Sequence, residues 1–292
     1  MAVTRFAFKL ADGNNMIDLA QCMSLVQRTM VRQKQNFTVL GGQVVDNADS
    51  TIKISTAPDF WYVRAAINRC FKAWKDQRSR TLMNTNDEDK GQNVGKFADF
   101  KISLDGTSTG SFLRPHYSAD AGVTPIAAGV EWAHASVIPE SAIGGVSELH
   151  FKILGPHSSN FYGAIHGWLQ TRAIPNTSSE PDYYDLDSDG TLDYKQDFLN
   201  LLNETDDGQP ERLHVLFEDN DNAPYALADV YGNSDGADNR QLQSLIHLKG
   251  LLGTNSAMVP GFKALCGQVH VNVSGGTNPV LFLDVLNTPE AF

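Results

Sequence analysis

The segment YYDLDSDGTLDYKQ, residues 183–196, spaces its carboxylates as a calcium-binding loop does. The EF-hand loop uses oxygen ligands at its odd positions up to the ninth, a glycine at the sixth and a bidentate glutamate at the twelfth. When Gly190 is placed at the sixth position, the pattern predicts four acidic ligands, namely Asp185, Asp187, Asp189 and Asp193. The chemistry that these residues would support is the binding of Ca²⁺ by carboxylate oxygens.

The same loop departs from the EF-hand pattern at its end and at its entrance. The twelfth position is Gln196, whose neutral amide cannot chelate with two oxygens, and Asp197 comes one residue late. Residues 175–181 are rich in Pro, Ser and Asn, which is typical of coil rather than of an entering helix. Four neighbouring carboxylates repel each other by on the order of 1 kcal/mol per pair even in water. Two interpretations therefore stay open, a calcium site and an acidic surface loop without an ion.

A second motif that could do chemistry is GTSTG at residues 106–110, which matches the GxSxG elbow of serine hydrolases. That elbow requires a helix after the nucleophile, whereas the residues that follow Ser108 include Pro115, Gly122 and Pro125. A flexible loop is therefore favoured over a hydrolase site. The histidines lack HExxH spacing, and the chain has neither a P-loop nor a dinucleotide GxGxxG motif. The sequence predicts no catalytic residues and no enzyme.

Composition predicts a large soluble domain. The chain has 292 residues, of which 41% are hydrophobic, enough for an extended core. It contains no apolar run long enough to span a membrane, and its N-terminal residues lack the apolar region of a signal peptide. We therefore expect no membrane partner and synthesis in a cell interior rather than secretion. The three cysteines lie far apart and are expected to be core residues rather than a disulfide framework.

Charge is distributed unevenly along the chain. The formal net charge is -11, which by itself argues against nucleic-acid binding. Residues 1–80 nevertheless contain twelve basic and six acidic residues, a net charge of +6, so the remainder carries -17. This asymmetry predicts a molecule with one basic face and one acidic face.

Two early segments show the periodicity of amphipathic helices and hold most of these basic residues. They are residues 16–35 and residues 59–80, and the second places Val63, Ile67 and Phe71 on one stripe. A helix with a solvated basic face is the simpler interpretation of the second segment, and nucleic acid bound to that face is the alternative. The basic residues that would contact nucleic acid are Arg28, Arg32, Lys34, Arg64, Arg69, Lys72, Lys75, Arg78 and Arg80.

Elsewhere the pattern predicts β-structure. Eight short segments rich in Val, Ile, Phe and Leu are bounded by turn residues, and they are 36–46, 51–57, 96–105, 147–155, 162–172, 211–219, 263–273 and 279–287. The sequence SGGTN between the last two predicts a hairpin turn. Long connections include an acidic loop insertion at 174–209. These features predict a mainly β fold, an eight-stranded antiparallel jelly-roll sandwich with one or two helical insertions, spanning residues 1–292 as one domain.

A resemblance to a known family rests on seven segments taken in chain order. They are IDLAQCMSLVQRTMVRQ, WYVRAAINRCFKAWKDQ, FADFKISL, VEWAHASVIPE, ELHFKILG, EDNDNAPY and VPGFKALCGQVHVNV. Together they resemble capsid proteins of small circular, Rep-encoding single-stranded DNA viruses, as dispersed patches over most of residues 16–274. The resemblance implies a jelly-roll major capsid protein that assembles with copies of itself into an icosahedral shell around a single-stranded DNA genome. Its location would be the virion.

One departure from that family concerns genome contact. Many such capsid proteins begin with a long Arg/Lys-rich arm, whereas the first fifteen residues here contain only Arg5 and Lys9. Contact would then depend on the basic residues named above, with Phe60, Trp61 or Trp74 stacking on bases. In a shell, the acidic loop would hold calcium at the outer surface or between neighbouring subunits. The alternative function is a calcium-dependent carbohydrate- or ligand-binding β-sandwich module, which would use the same loop.

Overall fold

Alternation of apolar and polar residues along the strands builds two β-sheets around a shared core. The protein's structure, a computed structural model, describes residues 3–84, 99–106, 112–116, 125–126, 132–137, 148–158, 160–172, 231–232, 240–249, 255–276 and 278–288. The strands in these ranges are β1 (Thr4–Lys9), β2 (Gly13–Asp18), β3 (Asn36–Asp46), β4 (Ser50–Thr56), β5 (Ser136–Val137), β6 (Leu149–Lys152), β7 (Phe161–Gly163), β8 (Gln241–Leu248), β9 (Asn255–Val259), β10 (Phe262–Ala264), β11 (Gln268–Gly275) and β12 (Val280–Thr288). The helices are α1 (Leu19–Gln27), α2 (Trp61–Asn84) and α3 (Ala164–Arg172), and Leu265–Gly267 form a 3-10 turn.

The strands of the two main sheets pair in nested order. Sheet A has the order β1-β12-β3-β10, with β9 also pairing with β3, and sheet B has the order β2-β11-β4-β8. All of these pairings are antiparallel. The first strand pairs with the last, the second with the one before it, and β4 with β8. Residues 57–240 are therefore an insertion between two adjacent strands of sheet B.

The inward faces of the two sheets form one hydrophobic core. In β12, Leu281, Leu283 and Val285 are fully buried while the residues between them are half-buried, the period of two expected for a strand. The core also takes Ile52 and Ile54 from the other sheet. Because a shift of one residue would turn every one of these side chains outward, burial of this set holds the register of the pairing. Each fully buried aliphatic side chain contributes about 1.5–3 kcal/mol.

A third, smaller sheet lies in the insertion. Its order is β5-β6-β7, and the pairing of β6 with β7 is parallel. The chain divides into two compact units, residues 1–168 together with 231–292, and residues 169–230. All the elements above belong to the first unit except the last turn of α3, and of the second unit only residues 169–172 are described.

The predictions of a mainly β fold and of buried cysteines are confirmed. Twelve strands in sandwich-like sheets and three α-helices account for the regular structure of the described ranges. The three cysteines, Cys22, Cys70 and Cys266, are free and buried.

The prediction of one helix over residues 16–35 is wrong at both ends. Met16 belongs to β2, where it pairs with His270 of β11. The first residues of the segment are therefore part of a strand and not of the helix. The helix starts after Asp18, whose carboxylate accepts a hydrogen bond from the Ala20 amide at 2.9 Å. It ends at Arg28, whose φ of 54° is left-handed.

Three of the predicted β features are also corrected. Residues 164–172 of the segment 162–172 form helix α3, because a short apolar run fits a helix and a strand equally well. In 96–105 the described residues contribute only an isolated bridge, from Ser103 to Lys152. The SGGTN sequence does not close a hairpin, since β11 pairs with β2 and β4 while β12 lies in the other sheet. The segment 211–219 lies outside the described residues.

Candidate nucleic-acid interface

Helix α2 is packed along its first half and lies on the surface along its second half. Val63, Ala66, Ile67 and Cys70, spaced to share one face, are each at most 3% exposed. None of residues 71–83 is buried. The helix contains six basic residues and one acidic residue. Its second half therefore presents excess positive charge to solvent.

One face of α2 carries an aromatic ring followed by cations, and we call Trp61, Lys72 and Lys75 the exposed stripe. At the helical rotation of about 100° per residue these three lie within about 60° of one another, opposite the buried face. Trp61 is 66% exposed, and Lys72 follows it by about 16 Å along the axis, with Lys75 roughly 4.5 Å further on. Arg69 and Arg80 are exposed on one flank. Positive charge next to an aromatic side chain is the combination that binds a polymer carrying both negative charges and planar rings.

Neighbouring rings hold Trp61 in place, and we call Phe60, Trp61, Tyr62, Trp168 and Tyr231 the aromatic patch. Trp61 contacts Trp168 edge to face, with ring centroids 5.4 Å apart. Tyr62 donates a hydrogen bond to the Tyr231 carbonyl at 3.1 Å, and burial raises the pKa of Tyr62 to about 12, so its hydroxyl stays a donor. With these edge-to-face contacts in place, Trp61 still exposes 66% of its surface to solvent, where another planar group could stack on it.

Trp74 has a different environment from Trp61. Its ring lies 6.3 Å from that of Phe71 and 6.0 Å from that of Phe100, and the Arg78 guanidinium stands 5.6 Å above it. Lys34 lies 4.7 Å above the ring of Phe71 in the same cluster. These contacts occupy Trp74, which is only partly exposed. Of the three aromatic residues predicted to stack on bases, Trp61 is thus the one with the most open surface.

Arg64 is engaged within the protein. Its guanidinium donates two hydrogen bonds to the Asp59 carboxylate, at 2.6 and 2.9 Å, and Lys263 lies 3.9 Å from the same group. Hydrogen bonding to Arg64 lowers the pKa of Asp59 below its ordinary value. This ion pair borders a polar pocket of about 320 Å³ at the end of sheet A, whose lining includes Cys266. The charge of Arg64 is therefore largely neutralised inside the molecule.

The remaining predicted contacts from the first basic segment are separate from the stripe. Arg32 pairs with Asp99 at 2.9 Å. Arg28 is exposed at the end of α1. The residues that α2 does bring together are Arg69 in its first half and, along its exposed second half, Lys72, Lys75, Arg78 and Arg80.

The predicted calcium ligands Asp185, Asp187, Asp189 and Asp193 lie outside the described residues, and so does Ser108. Within the ranges that the structure describes, no three or more His, Cys, Asp or Glu side chains are grouped so as to hold a metal ion. No helix in those ranges is long and apolar enough to cross a membrane.

Three residues that shape this interface were missed from the sequence. Asp59 precedes Arg64 by five positions, a spacing that could have indicated an ion pair near the start of the helix. Trp168 and Tyr231 support the aromatic patch from more than a hundred residues away, and no local pattern indicates that contact.

Comparison of the chain with family models, with curated proteins and with solved structures found no match.

Proposed function

We propose that the protein is a viral major capsid protein, a jelly-roll subunit that assembles into an icosahedral shell and binds single-stranded DNA along α2. The observation that carries the proposal is the nested order of the strands. Since β9 and β10 both pair with β3, they count as one strand, and eight strands remain in the two sheets. Renumbered in chain order, the sheets then run 1-8-3-6 and 2-7-4-5. That order results when a long antiparallel hairpin is rolled into two Greek keys, as in the double-sheet jelly rolls of viral capsids.

Jelly rolls also occur in lectins and cupins, so the function depends on features added to the fold. One such feature is the edge where β8 and β9 meet. These strands are the outermost in the described parts of sheets B and A, and they expose Leu242, Leu245 and Met258 by 54%, 48% and 76%. Apolar edge strands favour association with another chain. This edge is the surface that we assign to contact with a second copy.

The second feature is the charge of α2 relative to the rest of the chain. Residues 169–230 contain three basic and fifteen acidic residues, a net charge of -12, whereas the rest of the chain has twenty basic and nineteen acidic residues, +1. The negative net charge of the chain therefore comes from residues 169–230, and the remainder, which includes the two sheets and α2, is close to neutral. Lysine and arginine on the second half of α2 would attract phosphates, with release of counterions, while Trp61 stacks on a base.

Assembly is tested by measuring the particle size of the full chain by light scattering and negative-stain microscopy, with and without calcium. We expect uniform spheres of many subunits. Leu245→Glu should leave the far-UV circular dichroism unchanged but yield subunits instead of particles, because it places a charge in the contact between copies. Leu40→Glu is the matched control, since Leu40 is similarly exposed, at 51%, on β3. A stable wild-type monomer in both conditions would contradict the shell and favour the calcium-dependent ligand-binding module.

Trp61→Ala is expected to weaken binding of a single-stranded oligothymidylate by about 1–3 kcal/mol, because one stacked base loses its aromatic partner. Fluorescence anisotropy of a labelled oligonucleotide measures this loss. Met83→Ala on the same helix, at a residue that is 78% exposed, should leave the affinity unchanged. If Trp61→Ala and Met83→Ala bind equally well, Trp61 does not stack on bases.

A further inference from the structure

A buried cluster of charged and polar side chains lies on the outer face of sheet B. His270 of β11 points outward between the core residues Val269 and Val271, yet it is only 3% exposed. Arg240 covers it and donates from Nε to the Asp105 carboxylate at 2.9 Å, and its Nη2 donates to the same oxygen. Arg240 and Asp105 both belong to the insertion between β4 and β8. The cluster therefore joins the insertion to the sheet.

The hydrogen-bond partners of His270 and the adjacent guanidinium of Arg240 favour a neutral imidazole. Nε2 lies 3.1 Å from Asn14 Oδ1, an oxygen that accepts, so this nitrogen carries the proton. Asn272 donates to the same oxygen at 2.8 Å and thereby fixes the orientation of the Asn14 amide. Nδ1 is then the acceptor, and it lies 3.2 Å from the Ser55 hydroxyl. Arg240 Nη1 lies beside both ring nitrogens, 3.2 Å from Nδ1 and 3.1 Å from Nε2. A proton on Nδ1 would face a guanidinium N–H and place two cations in contact.

Few charged groups compensate that repulsion. In the described part of the chain, the charged groups that contact or interact with the ring are Arg240 and Asp105. On β2 the residue opposite His270 is the uncharged Met16. On β4 the nearest cation is Lys53, which is exposed and lies opposite Asn272. Burial and Arg240 lower the pKa of His270 to about 4, and Asp105 opposes part of the shift.

The cluster is connected to the start of α2 by hydrogen bonds. Tyr231 donates its hydroxyl to the Arg240 carbonyl at 2.8 Å, and the Tyr231 carbonyl accepts the hydroxyl of Tyr62. Tyr62 is the second residue of α2 and follows Trp61. A displacement of the Arg240 backbone would therefore displace Tyr231 and Tyr62 of the aromatic patch, since two hydrogen bonds connect the three residues.

We propose that His270, Arg240 and Asp105 form a clasp that holds the insertion against sheet B at neutral pH and releases it on acidification. An unfolded or released histidine takes up its proton near pH 6.5, whereas the buried one does so near 4. The clasp is therefore fully stable above pH 6.5 and weakens progressively as the pH falls toward 4. This inference goes beyond the proposed function, because it depends on neither assembly nor nucleic acid.

Amide hydrogen exchange of the full chain, followed by mass spectrometry from pH 7 to pH 4 and corrected for intrinsic exchange rates, tests the clasp. We expect peptides containing Tyr231, Arg240 and the start of α2 to exchange on the order of tenfold faster by pH 5. Peptides from β3 and β12 should keep their protection. His270→Gln cannot gain the proton and should lose this pH dependence. His247→Gln, at an exposed histidine of sheet B that lies 3.0 Å from the Thr51 hydroxyl, should behave as the wild type.

Two results would overturn the clasp. One is wild-type protection that stays uniform down to pH 4, and the other is the same acid-induced loss in His270→Gln as in the wild type. If His270→Gln does not fold, Arg240→Gln replaces it, because removal of the opposing cation should move the His270 titration toward pH 6.5. Nuclear magnetic resonance of the imidazole protons measures that titration, and an unchanged midpoint would contradict the assigned role of Arg240.

Discussion

Reversal of charge at Lys72, Lys75, Arg78 and Arg80 to glutamate is expected to abolish most of the nucleic-acid binding that we propose for α2. None of the four side chains is buried, and loss of the Arg78 contact with Trp74 should cost only about 0.5–1 kcal/mol, so the fold should be retained. Each lost phosphate contact on a single strand should make the dependence of log K on log salt shallower by about 0.7, or by roughly 3 in total. The absorbance ratio of purified particles and a salt titration of oligonucleotide binding measure the two effects.

A matched pair of variants separates α2 from general charge effects. One double variant carries Lys72→Glu and Lys75→Glu, and the other carries Lys53→Glu and Lys249→Glu. Both change the net charge by the same amount, and all four lysines are exposed. The first pair should reduce binding strongly and the second only slightly. Equal losses in the two variants would show that binding follows net charge and that α2 is not the interface.

Asp18→Asn is expected to lower the free energy of unfolding by roughly 2–4 kcal/mol. The Asp18 side chain is fully buried and joins β2 and α1 to the insertion. One oxygen accepts from the Ala20 and Gln21 amides at 2.9 and 3.2 Å. The other accepts from Gln33 Nε2 and Trp132 Nε1, both at 2.8 Å. An asparagine has one carbonyl oxygen, so its NH₂ group would face buried donors that cannot be satisfied.

Chemical denaturation followed by tryptophan fluorescence measures the cost of this substitution. Asp284→Asn is the control, because its partner Arg5 is on the surface, with 69% of the side chain exposed, and such pairs contribute about 0–1 kcal/mol. If Asp18→Asn costs no more than Asp284→Asn, the buried carboxylate does not stabilise the fold as argued.

The parts of the fold that were predictable are those whose pattern is local. Strand β3 spans Asn36–Asp46 as predicted, because residues that favour strands recur along it and its buried residues alternate on each side of a shift at Leu40–Gly41. Helix α2 was predicted over 59–80 and spans Trp61–Asn84, since its apolar stripe repeats over several turns. The short run at 162–172 failed because its few apolar residues fit either period. The SGGTN turn failed because a hairpin depends on which strands pair, and both flanking strands have other partners.

The candidate interface was partly predictable for the same reason. Composition located the basic segments, and the helical period predicted a solvated basic face on the second of them. It did not show that Asp59 neutralises Arg64 or that Arg32 pairs with Asp99. It also left three aromatic residues as equal candidates for stacking, whereas packing against Phe100 occupies Trp74 and leaves Trp61 open.

The sequence by itself determined the mainly β class, the position of the basic helix and the burial of the cysteines, because each depends on the polarity of neighbouring residues. Only the tertiary structure decided the nested pairing of the strands and the cluster of His270, Arg240 and Asp105. These features join residues as far apart as Asn14 and His270. Such contacts depend on which distant strands and loops pack together in the folded chain. Periodicity and spacing describe neighbouring residues and do not predict that packing.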